Sequence, residues 1–304
     1  MTDCGSAGTG TAGTESCCAS PEVTGGTYSR TYTNDGTGPT AEGDSATVSG
    51  FRLDKYLVTV GRFRQFVEAW NGGSGFTPAA GSGKHTHLNG GSGLNAAGGG
   101  YETGWVAADD SNVDPTDANL AGDFCTWTPS AGSQEGLPIN CVNWWESYAF
   151  CIWDGGFLPS EAEWEYAAAG GDQHRAYPWG ATAPGSACPG TGCQYAIYFC
   201  AYPDGSGSCT DVSAVAPVGT ATLGAGLWGQ LDLAGEVWEW NLDWFADAYV
   251  DPCTDCADLT AGTLRVARGG GFGSPSTQLS PPYLNDYGPS LRIGGIGFRC
   301  ARTP

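Results

Sequence analysis

The sequence predicts an α+β domain that is rich in loops and short of long regular elements. Three observations carry that prediction. Fifty glycines and only 14% charged residues among 304 positions point to turns in place of long helices. Two helix-capping patterns stand back to back near the middle of the chain. Beyond residue 172 the chain turns to aromatic, Gly-rich loops with short strand-like pieces. Helices early and irregular strands late make an α+β arrangement. A hydrophobic content of 40%, with 12 Trp, is enough to fill a core.

Taken in order, residues 1–20 are low-complexity and read as a disordered linker, with Cys17 and Cys18 placed to tie it to a single domain over 21–304. "GGTYSRTYTN" and "ATVSGFRLDKYLVT" alternate as strands do. Thr59 then caps a helix with Val60, Phe63, Phe66, Val67 and Trp70 on one face, which reads as core. Residues 71–136 have weak periodicity and read as a long, loop-dominated excursion whose surface would vary between relatives. In "NWWESYAFCIWDGG" (143–156) Asn143 stands three residues before Glu146, the capping-box spacing. "LPSEAEWEYAAAGG" (158–171) repeats the device with Ser160 and Glu163, and the glycines that end both segments suit left-handed caps. "LRVARGGGF" (264–272) and "IGFRCAR" (296–302) are the clearest late strand pieces.

A formal charge of −20, with Lys55 and Lys84 the only lysines, excludes a nucleic acid partner, which needs basic patches. Cations and neutral ligands fit better. No apolar run reaches about 18 residues, so no transmembrane segment is expected. Thirteen cysteines without paired zinc-ribbon spacing point to disulfides in an extracytoplasmic protein. Met1 is the sole methionine, which suggests a start codon added after an export signal was removed. Cys4 sits where the linker of a bacterial lipoprotein would begin, so the chain is expected to be secreted, periplasmic or held at the cell surface by a lipid anchor.

"GQLDLAGEVWEW" (229–240) sets Asp232, Glu236 and Glu239 among tryptophans with no lysine or arginine, and so asks what balances the charge. Ca²⁺ takes 6–8 oxygens, and a tight turn lets carbonyls and flanking carboxylates converge on it. The alternative is that Glu239 caps or pairs and the tryptophans are core. His85 and His87 in "KHTH" would share one face of a strand or lie in a solvated loop, the loop being the commoner case. Cys253 and Cys256 in "CTDC" form a redox motif, a zinc half-site or a small disulfide; the last is preferred because no second pair accompanies them.

"FRLDKYLVTVGRFRQFV", "LPINCVNWWESYAFCIWDGGFLPSEAEWEYAAAGG", "YPWG", "GQLDLAGEVWEW", "RVARGGGF" and "GFRCAR" follow the order of motifs in the formylglycine-generating-enzyme (sulfatase-modifying factor) superfamily, which the chain resembles over about residues 21–302. The resemblance implies a C-type-lectin-like α+β fold with little regular secondary structure. The namesake enzymes use copper and oxygen to convert a sulfatase cysteine to formylglycine, through two cysteines downstream of an Arg-Gly-Gly-Ser segment. Counting from Arg268 puts Ser274 and Leu279 at those positions, and copper(I) prefers thiolates to a hydroxyl or an alkyl group. Formylglycine-generating activity and copper are therefore not expected. Neither is iron, which relatives bind through histidines of an extra helical domain, since His85, His87 and His174 are the only histidines.

The resemblance also implies a calcium site made of the Asp232 and Glu239 side chains with the Gly235 and Val237 carbonyls. Glu236 departs from the family's usual Asn and is expected to face solvent or add charge. A second family calcium site is weakened by Ile197, and would need Asp204 or Asp211. Cys151 and Cys300 match a family disulfide. Cys125 and Cys141 remain as a pair, Cys188, Cys193, Cys200 and Cys209 pair among themselves, and the odd total leaves at least one thiol. A cleft lined by Arg268, Phe272, Ser274 and Tyr283 is the expected ligand site. The reading is a secreted or surface-anchored, calcium-stabilised, lectin-like binding protein for a glycan, peptide or protein. The alternatives are an enzyme of the superfamily with altered metal chemistry, or an assembly component of a surface complex, with the oligomeric state open.

Overall fold

The computed structural model describes residues 16–71, 75–185 and 194–304; Cys4, Cys188 and Cys193 lie outside the described residues. In chain order the strands are β1 (Glu22–Val23), β2 (Gly26–Thr33), β3 (Thr40–Val48), β4 (Phe51–Leu53), β5 (Asn95–Ala96), β6 (Trp238–Trp244), β7 (Cys253–Thr254), β8 (Cys256–Ala257), β9 (Arg265–Arg268), β10 (Leu284–Tyr287), β11 (Ile296–Gly297) and β12 (Ala301–Arg302). The α-helices are α1 (Val60–Asn71), α2 (Asp117–Leu120), α3 (Trp144–Trp153) and α4 (Glu161–Ala169). Few elements exceed ten residues, in keeping with the expected loop-rich α+β fold.

The three expected helices form where their caps stand. The Thr59 hydroxyl accepts the Arg62 N–H at 3.2 Å, and Val60, Phe63, Phe66 and Val67 are buried. Both capping boxes close, Asn143 with Glu146 and Ser160 with Glu163, satisfying amides that a helix start leaves without partners. Gly170 ends α4 at φ 68°.

The central sheet runs β10-β9-β6-β11, with β9 antiparallel to β6 and Glu239 opposite Arg268. A second sheet, β1-β4-β12, brings the two ends of the domain together. The main core lies between α1, α3 and the central sheet. Phe63 stacks on Phe150 with centroids 5.7 Å apart, and Phe150 meets Phe298 edge-on at 5.4 Å. Truncating such a ring to Ala typically costs about 3–5 kcal/mol.

Residues 16–20, expected as linker, are instead packed. Cys17, Cys18 and Ser20 are buried, the Lys55 N–H donates to the Ala19 carbonyl at 2.8 Å, and Arg62 donates to the Cys17 carbonyl at 3.3 Å. The buried Arg62 guanidinium needs acceptors; Asp54 (3.0 Å) and Asp154 (2.6 Å) supply the charge, and Cys17 supplies a carbonyl. Among the described residues of 71–136, the regular structure beyond the end of α1 is β5, α2 and short helical turns.

Disulfides join Cys125–Cys141, Cys151–Cys300, Cys200–Cys209 and Cys253–Cys256. Each follows the sequence expectation. Among the described residues Cys17 is a free thiol, and it is buried.

Candidate functional site

The acidic turn answers its charge question with a residue 60 positions away. Arg299 grips Glu239 with two bonds, Nε to Oε2 at 2.6 Å and Nη2 to Oε1 at 2.8 Å, and the Trp164 indole N–H donates to Oε2 at 2.9 Å. Arg299 spends its remaining nitrogen on the carbonyls of Asp54, Lys55 and Leu231. Both Glu239 oxygens are thus taken by N–H donors, and the structure does not bring this carboxylate, expected as a cation ligand, to a free position beside Asp232.

The other two acids of the stretch lie in the turn itself. Asp232, Gly235 and Glu236 have φ of 59°, 82° and 69°, a left-handed run in which glycine is needed at 235 because a Cβ there would stand 2.3 Å from the Ile197 carbonyl oxygen. Asp232 Oδ2 accepts the Gly219 N–H at 2.6 Å, and burial pushes its carboxyl up to about 6 against that bond and the pull of Arg299. Glu236 was expected to face solvent or add charge; it is buried. Its Oε1 accepts the Ala216 N–H at 2.8 Å, while Oε2 is buried without a partner. Burial first, and the Asp232 charge second, hold its carboxyl well above the usual range.

This turn carries the floor of the cleft. The Glu236 carbonyl accepts the Phe272 N–H at 2.7 Å, the Phe272 carbonyl accepts the Cys200 N–H at 2.7 Å, and the Ser274 carbonyl accepts the Phe199 N–H at 3.0 Å. Above that floor opens a cleft of about 260 Å³ lined by Trp238, Phe272, Ser274, Gln278, Tyr287 and Ile293, among others. Phe272 leans on Phe124, centroids 5.7 Å apart.

Of the four residues expected to line the cleft, Phe272 and Ser274 do so. Tyr283 stands next to it, 37% exposed, its ring 6.0 Å from that of Trp238 and its hydroxyl accepting from Gln278 at 3.1 Å. Arg268 does not reach it. This side chain is fully buried, paired with Glu161 and with Glu165 (3.1 Å), and it donates to the Tyr249 hydroxyl and the Pro281 carbonyl. A strand residue whose side chain enters a carboxylate pair on α4 cannot also face the cleft. Sequence reasoning missed Trp238 and Tyr287; the only signal was their place at the ends of short aromatic strand pieces.

The two positions of interest for copper are occupied structurally. Ser274 is 7% exposed, its hydroxyl accepts the Gly271 N–H at 3.0 Å, and its own N–H returns to the Gly271 carbonyl at 2.8 Å. Leu279 is 1% exposed in a small apolar cluster with Ala196, Tyr198 and Ala234. Neither supplies a soft ligand.

His85 is not in a solvated loop. It is fully buried between Glu102 (Nδ1–Oε2, 3.0 Å) and Glu163 (Nε2–Oε2, 3.0 Å); burial alone would lower its pKa, but Glu163 and Glu102 together hold it at about 10. The imidazolium pins the long excursion to the start of α4. His174 accepts the Ser29 N–H at 2.9 Å. Asp204 and Asp211 are exposed and bond the amides two residues on, while Ile197 is buried.

A lectin-like domain with an Arg-Gly-Gly turn under its cleft and an acidic turn beneath that is the architecture of the sulfatase-modifying factor class. The chain belongs to the sulfatase-modifying factor enzyme 1-like domain family, which it matches over residues 9–304. It is 31% identical to the formylglycine-generating enzyme of Streptomyces coelicolor over 83% of this chain and 77% of that one, and 30% identical to that of Thermomonospora curvata over 90% and 88%. It is also 29% identical to the inactive C-alpha-formylglycine-generating enzyme 2 of Bos taurus, over 57% and 53%. Among solved structures, PvdO from Pseudomonas aeruginosa superposes with a TM-score of 0.56 at 21% identity, covering 93% of both chains. Treponema denticola variable protein 1 does so at 0.53 and 19%, covering 94% and 95%.

Proposed function

We propose that this domain is a binding protein on the formylglycine-generating-enzyme fold, without oxidase chemistry, whose ligand sits in the cleft above Phe272 and Ser274. The observation that carries the reading is the use made of Ser274 and Leu279: one closes a turn and the other fills a core, where the enzymes of this family place a thiol pair. The residues present do not fit copper. Phe272, Trp238, Tyr283 and Tyr287 instead offer aromatic faces to a glycan or a peptide, with Gln278 and backbone groups for orientation. Bovine formylglycine-generating enzyme 2, named inactive, is a precedent within the family.

Calcium is part of the reading, with one change of ligand. The orphaned, buried Glu236 Oε2 beside Asp232 fits a hard cation, whereas Glu239 would have to leave Arg299. Asp232, Glu236 and the turn carbonyls near Gly235 and Val237 are the group that would hold Ca²⁺. When bound, the ion would neutralise two carboxylates that otherwise repel. Its effect would reach the cleft through the Glu236–Phe272 hydrogen bond. The disulfides found among the described residues suit an extracytoplasmic location, secreted or surface-anchored.

The test is a glycan and peptide array probed with the whole protein, followed by titration of each hit against Tyr287→Ala. The reading expects saturable hits that weaken at least tenfold in the variant. An array without hits, or hits indifferent to Tyr287→Ala, would contradict it and favour an enzyme or an assembly component.

A further inference from the structure

A second cavity, about 460 Å³, shares no lining residue with the cleft. Tyr101 and Asp109 reach it from the long excursion, Trp145 from α3, Trp244 from the end of β6, Leu259 from the loop after β8, and Arg265 from the start of β9. The volume is that of a small-molecule pocket, and its walls are mainly aromatic and aliphatic.

Arg265 is the unusual member. Among the described residues it is the one buried arginine with no carboxylate within 4.0 Å; Arg30, Arg62, Arg268, Arg299 and Arg302 each have one. Its guanidinium is held between the rings of Trp144 and Trp244, 3.6 and 3.5 Å from their centroids. Both faces are therefore covered, and only in-plane N–H groups remain to be engaged. Nη1 donates to the Leu242 carbonyl at 2.5 Å, and Nε is buried without a partner. Burial draws its pKa down to about 9 against the longer-range pull of Asp243 and Asp109, neither of which forms an ion pair with it. Asp109, an acid of the lining, makes no ion pair with Arg265 within 4.0 Å and acts on it only at longer range, and Asp243 gives its two oxygens to the Glu161 and Asp258 N–H groups. Glu102 is committed to His85.

We propose that this cavity binds a small carboxylate with a flat aromatic body, its carboxylate in the plane of Arg265 and its ring against Trp145 and Trp244. A cation would be set against the guanidinium, and a neutral sugar would leave it unpaired. A carboxylate matches the fork of a guanidinium and strengthens its bonds by charge. The net charge of −20 does not preclude an anion here, since at physiological salt exposed charges farther than about 8 Å away are largely screened and the nearby guanidinium counts for more.

The probe is indole-3-acetate, titrated by calorimetry and followed on the tryptophan indole N–H resonances, with indole as the partner lacking a carboxylate. Saturable binding is expected, at least tenfold tighter for indole-3-acetate than for indole, and at least tenfold weaker in Arg265→Gln. Because Arg265 holds two tryptophans apart, that variant risks misfolding. Ala261→Trp, at an exposed position on the lining, fills the mouth without touching the core and should abolish binding with an unchanged melting temperature. No saturable binding, equal binding of indole, or undiminished binding in Ala261→Trp overturns the proposal.

Discussion

Arg299 and Glu239 form a two-pronged ion pair at 2.6 and 2.8 Å with neither side chain more than 1% exposed. Breaking one side of such a pair leaves a buried charge without its partner, which costs about 3–5 kcal/mol. Glu239→Gln should therefore lower the denaturant midpoint sharply. A change below 1 kcal/mol would mean that the pair is not formed.

Calcium should stabilise the fold by binding the native turn and not the unfolded chain, by about 2.7 kcal/mol at one hundred times Kd. The melting temperature should fall with chelator and recover with Ca²⁺, and Asp232→Ala should remove most of that response. Glu236→Gln should remove much of it too, since Oε2 is the orphaned oxygen. A melting temperature indifferent to chelator, with no calcium in elemental analysis, rejects the site.

His85 gives a pH signature. Its native pKa is raised from 6.5 to about 10, so the stability it contributes is complete below pH 6.5 and is lost as the pH climbs through about 10. His85→Gln should be destabilised most near pH 6, with the gap to the native protein closing towards pH 10. Unfolding curves for both proteins at pH 6, 8 and 10 decide it; a gap independent of pH contradicts the charged triad.

The Cys151–Cys300 disulfide spans 149 positions and ties α3 to the residue just before β12. Closing so long a loop is worth about 4–5 kcal/mol in the chain-entropy account. The double variant Cys151→Ala, Cys300→Ala should lose stability of that order, and peptide mapping of unreduced protein should find the two joined. Alkylation of both without reduction would refute the bond.

What the chain reveals unaided follows the range of the interaction. The capping boxes of α3 and α4 are local, three residues from cap to partner, and could be read directly. The same holds for the Thr59 cap and the apolar stripe of α1. The pairs that build the site are long-range: Arg299 with Glu239, Arg268 with Glu161, and His85 with Glu163 lie 60, 107 and 78 positions apart. No periodicity marks them, so Arg268 was placed in the cleft and His85 in a loop. Glu236 was expected to face solvent or add charge, and its burial in a turn of positive φ, against the Ala216 N–H 20 positions away, leaves no trace in composition. Ser274 and Leu279 were legible through the family's motif spacing, and the structure adds what each does instead.

The most direct test of the central claim is to incubate copper-loaded, fully oxidised protein with oxygen and a peptide bearing a Cys-x-Pro-x-Arg segment, and to follow the cysteine by mass spectrometry beside an active family enzyme. With a turn-closing Ser274 and a core Leu279, the peptide should keep its thiol while the control converts it to the aldehyde. Conversion by this protein that survives removal of contaminating enzyme would contradict the account.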